Sequence, residues 1–297
     1  MSDPYSEILG PRTEMFREAL QDEVAERGGV MDPDGRSAAM RDGAAYNFDN
    51  LARAVPPEAS KQEIVDGIRA FLGGLQEAPD VRDYDWEDLK LRLRTRLSGR
   101  VTLQGDGALT KPLAEDLMQT LNVDFPDSVV TLTDSSSLEK LGVDFDHAMH
   151  VALLNTAAEL SQAHIEVQHI EGHVWALSSE SFFTTGLVIL LDEALPVLLD
   201  RDLDLSEGLL IGVPNRHVVL IGFLDAPLAL VEGVKTMITV ADRLLQSQPG
   251  GISTSVYYAD REGFQRLAHP STDDEGRPAV VIEPPERVLR RMEAGEI

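Results

Sequence analysis

Apolar residues along the chain fall into three rhythms: helical spacing, strict alternation and unbroken runs. Met15, Phe16, Leu20 and Val24 recur every four residues or so and stop before Gly28-Gly29, which predicts a helix over 13–27. Ser60-Lys61-Gln62-Glu63 has the form of a capping box, in which the serine and glutamate side chains satisfy free backbone N–H groups. The stripe behind it is Ile64, Ile68, Phe71, Leu72 and Leu75. A second box, Ser136 to Glu139, predicts a short helix ending near Gly142. Residues 146–163 and 232–247 read as two longer helices. The first turns Met149, Leu153, Thr156 and Leu160 inward; the second turns Val234, Met237, Ile238, Ala241, Leu244 and Leu245. Thr110 and Pro112, followed by Leu113, Leu117 and Leu121, read as a further helix start and its stripe. A short helix is expected over 286–292.

Alternation marks Leu89 to Leu97: leucines and Thr95 on one face, Lys90, Arg92, Arg94 and Arg96 on the other. Period two predicts a strand with a basic outer face. The unbroken runs Gly208–Val213 and His217–Leu224, turning at Pro214-Asn215-Arg216, predict a hairpin. Val129–Leu132, His173–Leu177 and Ile252–Tyr258 read as strands, with another after Arg261-Glu262-Gly263. Phe182 to Leu199 is ambiguous, since periodicity does not separate a buried helix from a buried strand there. No regular βαβ series appears. The expected class is α+β, with mixed, mainly antiparallel sheets and packed helices. The expected organisation is an N-terminal α+β segment over 1–104 carrying the basic strand, a C-terminal α+β domain over 105–268, and a polar, proline-rich tail over 269–297.

Charge changes this picture most. The 297 residues hold 51 acids against 26 bases, a net charge of -25. Such a field repels nucleic acid and anionic membranes. It is unevenly spread: from Leu141 to Asp200 there is no Lys or Arg, but nine acids and five of the seven histidines. Cysteine is absent, which excludes disulfides, thiolate metal sites and cysteine nucleophiles. The start, Met1 to Tyr5, lacks the basic and apolar regions of a signal peptide, and Leu187–Leu199 is too short and too charged to span a bilayer. A cytoplasmic location is expected.

Motif chemistry is sparse. Gly105-Asp106-Gly107 opens like a dinucleotide fingerprint but has no third glycine at Thr110, and no P-loop or nucleophile elbow exists. Asp83, Asp85 and Glu87, and Asp200, Asp202 and Asp204, have the early spacing of calcium loops without the later glycine and glutamate. The one chemical candidate is His164, Glu166, His169, Glu171 and His173. Imidazole and carboxylate together suit a divalent transition metal, with His147 and His150 one helix away. No other cofactor is expected. Trp175, Tyr257 and Tyr258 are candidates to line a pocket.

Gly208 to Pro214 followed by His217 to Phe223 resembles the paired apolar strands of the YtpQ-type family, bacterial proteins grouped as a domain of unknown function. Ser253 to Tyr258 resembles that family's later strand. The helix 146–163 with Asn155, the segment Val130-Thr131-Leu132-Thr133-Asp134, and the basic strand match it in order. The resemblance implies a helix over 184–199 and carries over no catalytic residue.

These features favour a non-catalytic, acidic, cytoplasmic interaction or regulatory protein. Its expected partner is another protein with a basic surface, not nucleic acid or membrane. Lys90, Arg92, Arg94 and Arg96 are the candidate partner-binding residues on the chain's own basic face. Two alternatives stand beside this: a metal-dependent enzyme using segment 164–173, and an immunity-type protein that occupies the basic site of a toxin.

Overall fold

A computed structural model describes residues 5–32, 35–39, 45–76, 79–99, 109–126, 128–132, 135–201, 205–226, 228–273 and 275–295. Gly105–Gly107, Thr133, Asp134, Asp202 and Asp204, named above, lie outside them. The chain divides into two compact units, 1–78 with 246–251, and 79–245 with 252–297. The expected boundary at 104 falls between two strands that pair along seven residues.

The first unit contains α1 (Ser6–Leu9), α2 (Thr13–Glu26), a small antiparallel sheet of β1 (Val30–Met31), β2 (Ser37–Ala39) and β3 (Ala45–Asn47), then α3 (Asp49–Ala54) and α4 (Lys61–Gln76). The capping box forms: Ser60 Oγ and N–H both bond Glu63, and the Glu63 N–H donates to Ser60 Oγ. Phe16, Leu20 and Val24 of α2 meet Ile64, Ile68 and Leu72 of α4 in one core, joined by Tyr5 edge-on to Phe16.

One carboxylate enters that core. Glu23 is buried, held by Arg27 at 2.7 Å and Arg69 at 2.6 Å. Burial pushes its pKa up, but the hydrogen bonds and charges of the two arginines outweigh this and hold it below 4.5. A depressed folded value contributes stability above the ordinary carboxylate pKa and loses it as pH falls through the folded value. Acid should therefore loosen α2 and α4. Glu23→Gln should flatten the loss of amide-exchange protection of these helices below about pH 4.5. An unchanged pH profile in that variant would refute the assignment.

The second unit begins with α5 (Trp86–Leu89), β4 (Leu93–Gly99), β5 (Thr110–Pro112), β6 (Leu117–Phe125) and β7 (Ser128–Thr131). β6 pairs β4 on one side and β5 and β7 on the other. Next come α6 (Ser135–Leu141) and α7 (Phe145–Gln162). A seven-stranded antiparallel sheet follows, formed by β8 (Glu166–Glu171), β9 (Val174–Ser178), β10 (Leu209–Asn215), β11 (Val218–Phe223), β12 (Val256–Asp260), β13 (Gly263–Thr272) and β14 (Pro278–Ile282). Its order is β14-β13-β12-β10-β11-β9-β8. A 3-10 turn (Thr184–Val188) and α8 (Leu191–Leu199) lie between β9 and β10, α9 (Ala229–Ser247) between β11 and β12, and α10 (Glu286–Glu293) last. The class is α+β, as the mixture of elements predicts.

β10 and β11 are unbroken apolar runs because both faces are covered. Leu209, Ile211, Val219 and Ile221 pack with Leu187, Leu191 and Leu195 on one side; Leu210, Leu220 and Val174 pack with Val234 and Met237 of α9 on the other. Among the described residues, no strand pairs with the outer edge of β4. There Thr156 of α7 accepts from the Thr95 N–H at 2.9 Å, and Thr185 accepts from the Leu97 N–H at 3.0 Å, so side-chain hydroxyls cover the edge.

Three expectations need correction. The segment 110–121 is β5, a turn and β6, not a helix. A four-residue leucine spacing is also a multiple of two, and Leu117, Leu121, Val123 and Phe125 alternate into the cores. The basic strand begins at Leu93. Asp85 caps α5 by accepting from the Asp88 N–H, α5 runs through Leu89, and Lys90 to Arg92 form a turn. Leu91 is consequently 69% exposed instead of inward. Phe182–Leu199 is neither one strand nor one helix but a 3-10 turn followed by α8. Within the expected tail, β13 runs on to Thr272 and pairs β14, and α10 follows. Among the described residues, no helix is long and apolar enough to cross a membrane.

Candidate functional site

The His/Glu segment is placed residue by residue on a hairpin edge. Glu166 and Glu171 begin and end β8, both exposed. A bulge between His169 and Glu171 breaks the alternation that would have aligned them with His173. His169 lies against Trp175, ring centres 4.7 Å apart, and its Nε2 bonds the Gly172 carbonyl at 2.7 Å. His173 Nδ1 sits 2.7 Å from Asp225, which also takes Arg201 at 2.6 Å. Burial pushes Asp225 up, yet the Arg201 hydrogen bond, then the charges of Arg201 and His173, hold it low overall. His147 rests against Trp86, and Asp144 caps α7 by accepting from the His147 N–H. Among the described residues, no three His, Asp or Glu side chains converge to hold a metal, these five included.

His164 has a different setting. It lies at the rim of a half-open apolar groove of about 480 Å³ between the end of α7 and α8, lined by Leu160, Leu187, Leu190, Val197 and Leu198, with Glu193 beside it. Trp175, Tyr257 and Tyr258 do not line this groove. The two tyrosines are core. Tyr257 bonds Asp116 at 3.0 Å and Ser253 at 2.8 Å, and burial pushes its hydroxyl up, so it stays protonated. Tyr258 is covered by the Arg287 guanidinium, 4.8 Å from the ring centre.

The four basic residues separate. Lys90 pairs Glu87, and Arg94 pairs Glu159 at 2.8 Å. Arg92 lies 5.8 Å from the Phe125 ring centre. Arg94 and Arg96 share the outer face of β4, and Arg96, opposite Thr120, is half-buried. Burial, then the charge of Arg216 on the turn between β10 and β11, pushes its guanidinium below its ordinary value. Burial does the same to Arg216. Both stay charged at neutral pH, because a guanidinium does not deprotonate in a protein. Arg216 lies 4.4 Å over the Phe182 ring and donates from Nε to His217 Nε2 at 3.1 Å. The accepting Nε2 fixes the proton on His217 Nδ1, which donates to the Ser179 carbonyl at 3.2 Å. Burial and Arg216 lower the His217 pKa, so that imidazole is neutral. Sequence reasoning missed Arg216, Phe182 and His217, which no shared rhythm connects with residue 96.

The acids of Leu141–Asp200 complete the inventory. Asp144, Asp146, Glu166, Glu171, Glu180, Asp192, Glu193 and Asp200 are exposed, and none is ion-paired to a described cation; only Glu159, paired with Arg94, is partly covered. The chain matches no known protein-family model, no curated protein and no solved structure.

Proposed function

We propose that this is a non-catalytic interaction protein of the cytoplasm that binds a partner protein through its acidic stretch. The observation that carries this reading is the set of eight exposed, unpaired carboxylates between Leu141 and Asp200, on a stretch with no Lys or Arg. Unneutralised surface charge of one sign steers an oppositely charged surface and rejects nucleic acid and anionic lipid. The partner is therefore a protein with a basic face. The resemblance to the YtpQ-type family adds no catalytic residue to this reading.

The test is affinity capture from lysate with the wild-type chain and with a variant carrying Glu166→Lys, Glu171→Lys, Glu180→Lys, Asp192→Lys and Glu193→Lys. All five sites are exposed, so the fold should survive. A specific basic partner should be retained at low salt by wild type alone, with affinity falling about tenfold or more as salt shortens the screening length below about 8 Å. Capture of no basic protein, or equal capture by both chains, would sink the reading.

A further inference from the structure

The half-open groove between the end of α7 and α8 joins two chemistries in one lining. Ala157, Leu160 and Ser161 recur at helical spacing on α7. Leu190, at the N-cap of α8, is followed on the same face by Ala194, Val197 and Leu198. One face of each helix therefore forms a wall, and Leu187 and Ile165 add to the lining. Val197 is 80% exposed, and Leu190 and Leu198 are only partly covered. Apolar surface left in water inside a concavity is stabilised when an apolar ligand displaces that water.

Charge and size narrow the ligand class. Glu193 and His164 are the ionisable side chains of the lining, both exposed, and neither side chain bonds a described residue. Among the described residues no Lys or Arg lines the groove, and none occurs in Leu141–Asp200, the stretch that supplies the whole lining. The complementary head group is therefore a cation. A protonated amine has N–H donors for a carboxylate and for a neutral imidazole nitrogen, whereas an anionic head would meet Glu193 with no base to pair with. A volume of about 480 Å³ falls in the range of small-molecule pockets, about 300–1,000 Å³. The α8 wall from Leu190 to Leu198 is about 12 Å long, shorter than a helix of ordinary length, about 17 Å. A small molecule thus fits better than a partner helix.

We propose that this groove binds a small cationic amphiphile, an aliphatic amine whose chain lies between α7 and α8 and whose ammonium group pairs with Glu193 and donates to His164. The chain replaces water against Leu160, Leu190, Val197 and Leu198 and supplies most of the affinity; the carboxylate selects the sign of the head group. The site needs no partner protein, so failure to capture one leaves it standing, and its own failure leaves the acidic stretch open to a protein.

The experiment is isothermal titration calorimetry of the full chain with n-octylamine, n-butylamine and octanoate, at concentrations where none forms micelles. Octylamine should bind saturably, one molecule per chain. Butylamine should bind about a hundredfold more weakly, at roughly fourfold per methylene removed from water. Octanoate should bind about tenfold more weakly than octylamine, for want of the charge-assisted hydrogen bond. Ser161→Trp places a ring in the groove from an exposed site and should abolish octylamine binding. Glu193→Lys should reverse the preference, so that octanoate binds tighter than octylamine. Both sites are exposed, so both variants should fold, which unchanged melting temperatures would show. The proposal is overturned by equal binding of octylamine and octanoate, by equal binding of octylamine and butylamine, or by either variant binding as wild type does. It is overturned too if an amphipathic leucine–lysine peptide binds where octylamine does not, which would assign the groove to a protein helix.

Discussion

Replacing Gly208 by alanine should destabilise the second unit by about 2–5 kcal/mol. Two effects add. Gly208 has φ +73°, a conformation that costs an L-residue about 1–2 kcal/mol. A Cβ there would also lie 2.1 Å from Tyr258 Oη and 2.2 Å from Cζ, and overpacking of that kind costs about 1–3 kcal/mol. The ring has little room to yield: Tyr258 is buried, with Val256, Leu210 and Leu267 in its cluster and Arg287 over its face. Urea unfolding should show a lower midpoint at unchanged slope. In a Tyr258→Leu background the same glycine substitution should cost less, because the clash is gone and only backbone strain remains. An equal cost in both backgrounds would show that the ring does not matter.

Arg287→Met should cost about 3–5 kcal/mol by leaving a buried carboxylate without its cation. Asp260 closes β12 with its side chain 3% exposed, and Arg287, on the first turn of α10, reaches it and also lies 3.1 Å from Glu262. Val288 beside it is fully buried, and Arg291 of the same helix donates to the Glu207 carbonyl and, at 3.1 Å, to that of Leu224, so α10 is held by an apolar anchor, ion pairs and hydrogen bonds. The double variant Arg287→Met, Asp260→Asn should recover much of the loss, since a neutral pair does not strand a charge. Amide exchange in α10 should accelerate in the single variant and slow again in the double one. Because Arg287 also covers Tyr258, this substitution and that at Gly208 should not be additive.

The sequence announces most elements where one rhythm excludes the other. The stripe of α2, the capping box of α4 and the double run of β10 and β11 are unambiguous, the last because burial on both faces removes polar positions altogether. Leu113, Leu117 and Leu121 are not, since their spacing serves helix and strand equally. The site was legible only in part. Exposed acids can be counted directly, because carboxylates seldom bury without partners. The histidines crowd in sequence yet scatter in space, for the Gly172 turn and the bulge at His169/Glu171 send each to its own neighbour. Arg96 was visible as one of four alternating cations. Arg216 sits on the turn between β10 and β11, held by the Phe182 ring and His217, and no periodicity in the sequence marks it.

The order of the large sheet also says how the chain reaches it. β8 with β9, β10 with β11, and β12 with β13 and β14 are local hairpins, which close in about 1–10 μs. The two joins, β9 to β11 and β10 to β12, must instead bring together residues about 40 positions apart, Ser178 with Val218 and Gly212 with Val256, each stretch holding a helix. Loop length itself is a small penalty, about 0.6 kcal/mol per doubling. The slow event is the docking of three preformed hairpins with α8 and α9 in place. Until it happens, β10 and β11 offer two apolar faces and two open edges to water. The most buried part of the native protein is thus the part most prone to mispairing while the chain folds.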